Sequence, residues 1–204
     1  GIGVIDVGAD ATAPESPGLL PPEQLDALVE SMHEASGGTS RLATGAAASN
    51  LDLYQVNCTY YDALGADDRA YLAARAIQFF TPGVPQVYYV GALAGRNDVD
   101  LLQRTGVGRD INRHYYSDEE IAAELDRPVV RALFALCAFR SALPVFDGEF
   151  SHALEHGRLT LRWVAGESDA TLEVDLTTRA VRLAWTHAGA AGETTDLLAS
   201  PPAL

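Results

Sequence analysis

A chain of 204 residues, 48% of them hydrophobic, is long enough to bury one sizeable core or two smaller ones, and no stretch of it reads as disordered. Its 28 acidic residues against 14 basic ones give a formal charge of −14, which argues against nucleic-acid and anionic-membrane partners, since both need clustered Lys and Arg. Neutral ligands such as sugars are compatible with that charge. No charged leader followed by an apolar stretch and no 18-residue apolar span occurs, so neither a signal peptide nor a membrane segment is expected. Cys58 and Cys137 lie far apart in elements of different type, which favours a reduced, cytoplasmic chain over a disulfide scaffold. Asn57-Cys58-Thr59 matches a glycosylation sequon, read as accidental in that context.

In chain order, residues 1–8 form a short apolar run of β type, Gly1-Ile2-Gly3-Val4-Ile5-Asp6-Val7-Gly8, an unusual start without Met that suggests the C-terminal part of a longer protein. Pro21-Pro22-Glu23 opens a helix to about residue 34, with Leu25, Leu28, Val29 and Met32 on one face and Gly37-Gly38 as its stop. Residues 43–49 are small and flanked by glycine, and are expected to be a mobile loop. Asp67-Asp68 caps a helix through residue 80, with Leu72, Ala73, Ala76, Ile77 and Phe80 at helical spacing and Pro82-Gly83 after it. Pro85-Gln86-Val87-Tyr88-Tyr89-Val90 is expected to be the following strand of a parallel α/β unit, and residues 91–117 a long functional loop. A short acidic helix near 117–125 precedes one that starts at Pro128, runs to about residue 143 and has Val130, Leu133, Phe134 and Cys137 as its stripe. From Phe146 the period becomes two: Leu159, Leu161 and Trp163, then Leu172, Val174 and Leu176, then Val181, Leu183 and Trp185 alternate with polar residues in a small antiparallel β-domain.

Two segments carry the residue types of a sugar site. Residues 48–61 bring Asp52, Tyr54 and Gln55 together with further aromatic phenols, and Gly108-Arg109-Asp110-Ile111-Asn112-Arg113-His114-Tyr115-Tyr116 adds a guanidinium. A polyol needs planar acceptors and donors for its hydroxyls and flat apolar faces for its C–H surface, and these residues supply both. The alternative is a polar surface loop with stray tyrosines. His114 beside two aromatics is more in keeping with a structural histidine, and Tyr88 and Tyr89 with packing.

Long literal strings then narrow the class. Gly1-Ile2-Gly3-Val4-Ile5-Asp6, Ala46-Ala47-Ala48-Ser49-Asn50-Leu51-Asp52-Leu53-Tyr54-Gln55-Val56-Asn57, Pro85-Gln86-Val87-Tyr88-Tyr89-Val90-Gly91 and Gly108-Arg109-Asp110-Ile111-Asn112-Arg113-His114-Tyr115-Tyr116-Ser117 resemble the sucrose phosphorylases of the α-amylase-like glycoside hydrolase clan, nearest to the bifidobacterial and actinobacterial type. The resemblance runs nearly end to end. It implies an α/β fold class: residues 1–143 as the C-terminal part of a (β/α)8 TIM barrel, with an inserted loop at 9–65, and residues 144–204 as a C-terminal antiparallel β-domain. Chemistry in such barrels sits at the C-terminal ends of the strands, which places 41–61 and 91–117 on the active face.

The activity implied is retaining glucosyl transfer from sucrose to inorganic phosphate, giving α-D-glucose 1-phosphate and fructose through a covalent glucosyl-enzyme. The nucleophile, the acid/base and the transition-state aspartate are expected upstream of Gly1, so no catalytic residue is assigned in this chain and Asp6 is not one. By the same resemblance Asp52, Leu53, Tyr54 and Gln55 form the acceptor loop that faces fructose and phosphate in turn, and Arg109 reaches the glucose pocket. No metal or cofactor is implied, and the oligomeric state is left open, a homodimer being one option. Departures are small: Cys58 replaces a usual Ser, and Arg41-Leu42 is atypical of the inserted loop. Two other functions stay in view. One is a sister phosphorylase acting on sucrose 6'-phosphate or glucosylglycerate, although no basic side chain stands beside Asp52-Leu53-Tyr54-Gln55 to meet a phosphosugar. The other is a non-catalytic carbohydrate-binding or oligomerisation module spanning residues 146–198, with Trp163 and Trp185 as a sugar platform, though both are in phase with the apolar face. Taken alone, the chain is expected to be inactive and unstable, because barrel strands without neighbours leave open edges.

Overall fold

The computed structural model describes residues 2–3, 20–44 and 55–203. They belong to two compact units, Gly1–Asp67 with Tyr89–Ser117, and Asp68–Tyr88 with Asp118–Leu204.

In the first unit, β1 (Ile2–Gly3) pairs antiparallel with β2 (Gln55–Val56). Helix α1 (Pro22–Ala35) starts where proline tolerates a missing N–H bond, has Glu23 in its first turn, and stops at Gly37 and Gly38, whose φ angles of 62° and 80° suit residues without a Cβ. Of the expected apolar face only Leu25 is fully buried, together with His33 from the last turn. A 3-10 turn, Thr39–Ala43, follows; the remainder of the expected 43–49 loop lies outside the described residues apart from Thr44. The short α2 (Tyr60–Ala63) is capped by Thr59, whose hydroxyl accepts from Asp62 N at 3.2 Å.

Residues 85–90 are not the expected strand. Pro85 to Tyr88 have no regular structure and Tyr89–Ala92 is a short helix, α4. A strand exists only where a neighbour completes its ladder, and all strand pairings among the described residues are antiparallel and made elsewhere. Tyr88 and Tyr89, expected to pack, are 57% and 41% exposed. Nor is 91–117 a structureless loop: it contains α5 (Val99–Thr105), started by the Asp98 side chain and ended by Gly106 at φ 67°, and a 3-10 turn, Gly108–Asn112.

The second unit begins with α3 (Asp68–Phe80), which buries Leu72, Ala73, Ala76 and Phe80 as expected, and also Tyr71, Arg75 and Phe79. Arg75 is buried beside Tyr71, whose hydroxyl accepts from Arg75 Nε at 3.0 Å. Helix α6 (Asp118–Leu125) buries nothing, whereas α7 (Pro128–Ala142) buries Val129, Val130, Ala132, Leu133, Leu136 and Phe139. The expected stripe is therefore rotated: Phe134 is 45% exposed and Cys137 only half-buried. A helix apolar on most sides gives no sharp stripe, and packing on α3 decides which side goes in.

The sheet has five strands in the order β3-β4-β5-β6-β7, all antiparallel: Glu149–Glu155, Arg158–Ala165, Ser168–Asp175, Val181–His187 and Ala190–Thr194. Leu161, Leu172 and Leu183 stand opposite one another across the middle strands and are buried. Trp163, Ala170 and Trp185 form the next rung, and Gly192 faces Trp185 because a Cβ there would sit 2.2 Å from the indole. Leu176 falls in the turn after β5 and is 48% exposed, not a core position. Among the described residues no helix is long and apolar enough to cross a membrane.

Candidate functional site

Asp52, Leu53 and Tyr54 lie outside the described residues. Gln55 is the first residue of β2, its backbone paired opposite Gly3. Arg109 is on the 3-10 turn Gly108–Asn112, where its side chain is exposed while Gly108, Ile111 and Asn112 beside it are buried. The described part of the first segment, from Gln55 on, and the Arg109 turn both belong to the first unit.

A web of polar bonds holds the chain just downstream of Gln55. The Asp62 carboxylate accepts from Asn97 N at 2.6 Å and from Arg96 Nε at 3.0 Å. Asn97 in turn uses its whole amide: Oδ1 accepts from Thr59 N at 2.8 Å, and Nδ2 donates to Thr39 Oγ1 at 2.9 Å and towards Cys58 Sγ at 3.4 Å. Asp62 is 3% exposed and Arg96 largely in water, so the bond to the Asn97 N–H carries more of the stability than the ion pair. Removing the carboxylate in Asp62→Ala is expected to cost about 1.5–3 kcal/mol in urea unfolding, the range for a lost charge-assisted hydrogen bond. Asp62→Asn, which keeps an acceptor, should cost less; equal losses would assign the effect to something other than that bond.

Cys58 is buried in this web, and burial pushes its thiol up to about 11, so it stays protonated at neutral pH. Asn57 is 2% exposed, with Nδ2 donating to Ala43 O at 2.9 Å, so its amide is turned into the fold.

A second set of contacts surrounds the Arg109 turn. His114 Nδ1 is 2.6 Å from Asp98 Oδ2, and the other Asp98 oxygen accepts from Leu101 N at 2.7 Å. Burial by itself raises the Asp98 carboxyl, but the hydrogen bonds from His114 and Leu101 N together outweigh it and hold the group below its usual range. An ionised carboxylate only accepts, so Nδ1 is the donor. The Asp98 N–H donates to Ile111 O at 2.7 Å, and Ile111, at 0% exposure, packs with Ala43 and Leu102. Tyr89 donates its hydroxyl to His114 O at 2.8 Å. Tyr116 meets the imidazole edge-on with centroids 4.5 Å apart, and its hydroxyl lies where a Cβ on residue 95 would be, so Gly95 is required there.

Asp62, Asn97 and Asp98 escape a reading of the sequence by motif. Only Asp98 had a local signal, as an N-cap type residue ahead of Val99, Leu101 and Leu102. Trp163 offers no platform to a sugar: it is 5% exposed and donates Nε1–H to Phe80 O at 2.7 Å.

The fold is similar to part of a carbohydrate phosphorylase of known structure: sucrose 6F-phosphate phosphorylase from Thermoanaerobacter thermosaccharolyticum matches with a TM-score of 0.77 and 38% identity, over 87% of this chain and 36% of that one. Residues 145–202 match the family described as sucrose phosphorylase, C-terminal. Curated relatives agree. The sucrose phosphorylase of Bifidobacterium adolescentis is 53% identical over 99% of this chain and 42% of its own length, and that of Agrobacterium vitis 60% identical over 85% of this chain and 36% of its own. The chain spans about two fifths of these relatives, as 42% and 36% state. Residues 145–202 thus match the sucrose phosphorylase C-terminal family, and the chain as a whole is similar to part of these sucrose phosphorylases.

Proposed function

We propose that the complete protein, with sequence upstream of Gly1, is a sucrose phosphorylase that moves glucose from sucrose to inorganic phosphate with retention, releasing fructose and α-D-glucose 1-phosphate. The single observation that carries this is the 53% identity to a sucrose phosphorylase across 99% of the chain. In this proposal residues 1–143 end a (β/α)8 barrel, with α3 and α7 as two of its outer helices, and residues 144–204 form the domain that follows. The carboxylates that act as nucleophile, acid/base and transition-state stabiliser belong to the upstream sequence. This chain contributes the acceptor loop Asp52, Leu53, Tyr54 and Gln55, and Arg109 on the glucose side. Free Cys58 and Cys137 support a cytoplasmic setting.

Each contribution has a physical role. A rigid guanidinium fork suits paired sugar hydroxyls or a carboxylate, and its exposed position on an anchored turn supports that use of Arg109. Tyr54 is of a type that can donate to a phosphate oxygen or stack on a sugar. Tyr54→Phe is therefore expected to raise the KM for phosphate several-fold more than that for sucrose; equal changes in both would rule out a phosphate contact.

The substrate is tested by offering the complete protein sucrose, sucrose 6'-phosphate and glucosylglycerate, each with phosphate, and measuring glucose 1-phosphate. Sucrose is expected to give the highest kcat/KM. A preference of tenfold or more for either other substrate would replace this proposal with the sister specificity.

A further inference from the structure

We infer that Asp98 and His114 are a positioning pair for Arg109, holding the turn that presents its guanidinium to the sugar. The inference rests on the proposed role of Arg109 and adds two residues that the resemblance does not assign. Arg109 sits on a single 3-10 turn, Gly108–Asn112, a structure too short to fix its own orientation. Its placement must come from its surroundings.

Three fastenings supply it, and all of them meet at Asp98. The Asp98 N–H is bonded to Ile111 O at 2.7 Å, two residues beyond Arg109. Its Oδ2 takes the His114 imidazole at 2.6 Å, five residues beyond. Its Oδ1 is fixed to the first turn of α5 through Leu101 N at 2.7 Å, so the pair is referred to a helix and not to another loop. Ile111, buried with Leu102 and Ala43, seats the same turn on α5 from its apolar side. The His114 ring meets Tyr116 edge-on at 4.5 Å, and the backbone carbonyl of His114 accepts from the Tyr89 hydroxyl.

The imidazole thus closes the chain segment that carries Arg109 onto Asp98. Without it, residues 112–116 lose this tie to Asp98, while the Ile111 anchor remains. A displacement of about 1 Å in a substrate-positioning group is enough to cost about 10²-fold in rate. His114 touches no reacting atom in this scheme; it acts through the arginine.

The test is a double-mutant cycle on the complete protein, reading kcat/KM for phosphate-dependent cleavage of sucrose. His114→Ala is expected to lower kcat/KM by about 10- to 100-fold. His114→Asn, whose Nδ2–H stands about where the imidazole Nδ1–H does, should recover most of that loss. In an Arg109→Ala background, His114→Ala should cost less than about threefold more, because the group it positions is already gone. Should His114→Ala fail to fold, Asp98→Asn takes its place in the cycle with the same expectation. Wild-type activity in the His114 or Asp98 variant, or losses that multiply fully in the double variant, would overturn the pair while leaving Arg109 as a substrate contact. Unchanged activity in Arg109→Ala alone would instead overturn the Arg109 role, and the pair with it.

Discussion

Phe80→Ala is expected to lower the unfolding free energy by about 3–5 kcal/mol, the range for emptying a buried aromatic site. Phe80 is the last residue of α3, 1% exposed, and meets Phe146 edge-on at a centroid distance of 5.1 Å. Phe146 continues the contact to Phe139 at 6.0 Å and to Trp163 at 5.9 Å, and Phe139 continues it to Trp185 at 5.1 Å. Each edge-on pair adds about 0.5–1.5 kcal/mol beyond area burial, so one deletion loosens a chain of rings. The backbone at this point has a second task. Phe80 O accepts from Trp163 Nε1 at 2.7 Å and Phe79 O from Arg140 Nε at 2.9 Å, so α3 ends on side-chain donors. The Arg140 guanidinium also lies over the Phe146 ring, 4.2 Å from its centroid. The cluster is thus where α3, α7 and the sheet are joined, and urea unfolding of the complete protein followed by tryptophan fluorescence reads it. A loss under about 1 kcal/mol would mean that the surrounding rings close the gap, contrary to a tightly filled core.

Where local chemistry decides structure, the sequence was legible. Pro22 and Gly37 bound α1, Pro128 opens α7, and the period-two runs around Leu161, Leu172 and Leu183 locate three of the five strands of the sheet. The other two escape the pattern for a physical reason: β3 has no buried residue, and β7 is a short run of Ala, Gly and polar residues, so neither displays an apolar alternation. The opposite error occurs at residues 85–90, where β-rich composition suggests a strand but the described residues supply no partner ladder. Of the site, Arg109 and its neighbours could be picked out by residue type. Their supports could not, because Asp98 with His114 and Asp62 with Asn97 meet across 16 and 35 residues through tertiary packing. His114 was read as structural, and its bond to Asp98 gives that role a definite object.

Under the proposed role, Arg109→Ala is expected to carry the largest functional effect. In this proposal the substrate and the rest of the complete protein cover the exposed guanidinium, and deleting a donor that strengthens as charge builds on the glucosyl group costs about 10²–10³ in rate. Two features of the structure favour so large a value. The turn beneath Arg109 is anchored by Ile111 at 0% exposure, so the arginine is presented from a fixed base. Its residue type matters as well: Arg109→Lys keeps the charge but loses the planar fork, and should recover only a minor part of the activity.

The most direct measurement is kcat/KM for glucose 1-phosphate formation from sucrose and phosphate by the complete protein, wild type against Arg109→Ala. A phosphate-dependent product that falls by about 10²–10³-fold in the variant is expected. Product formation that is unchanged by the substitution, or wild-type protein that makes no glucose 1-phosphate from sucrose, would contradict the account.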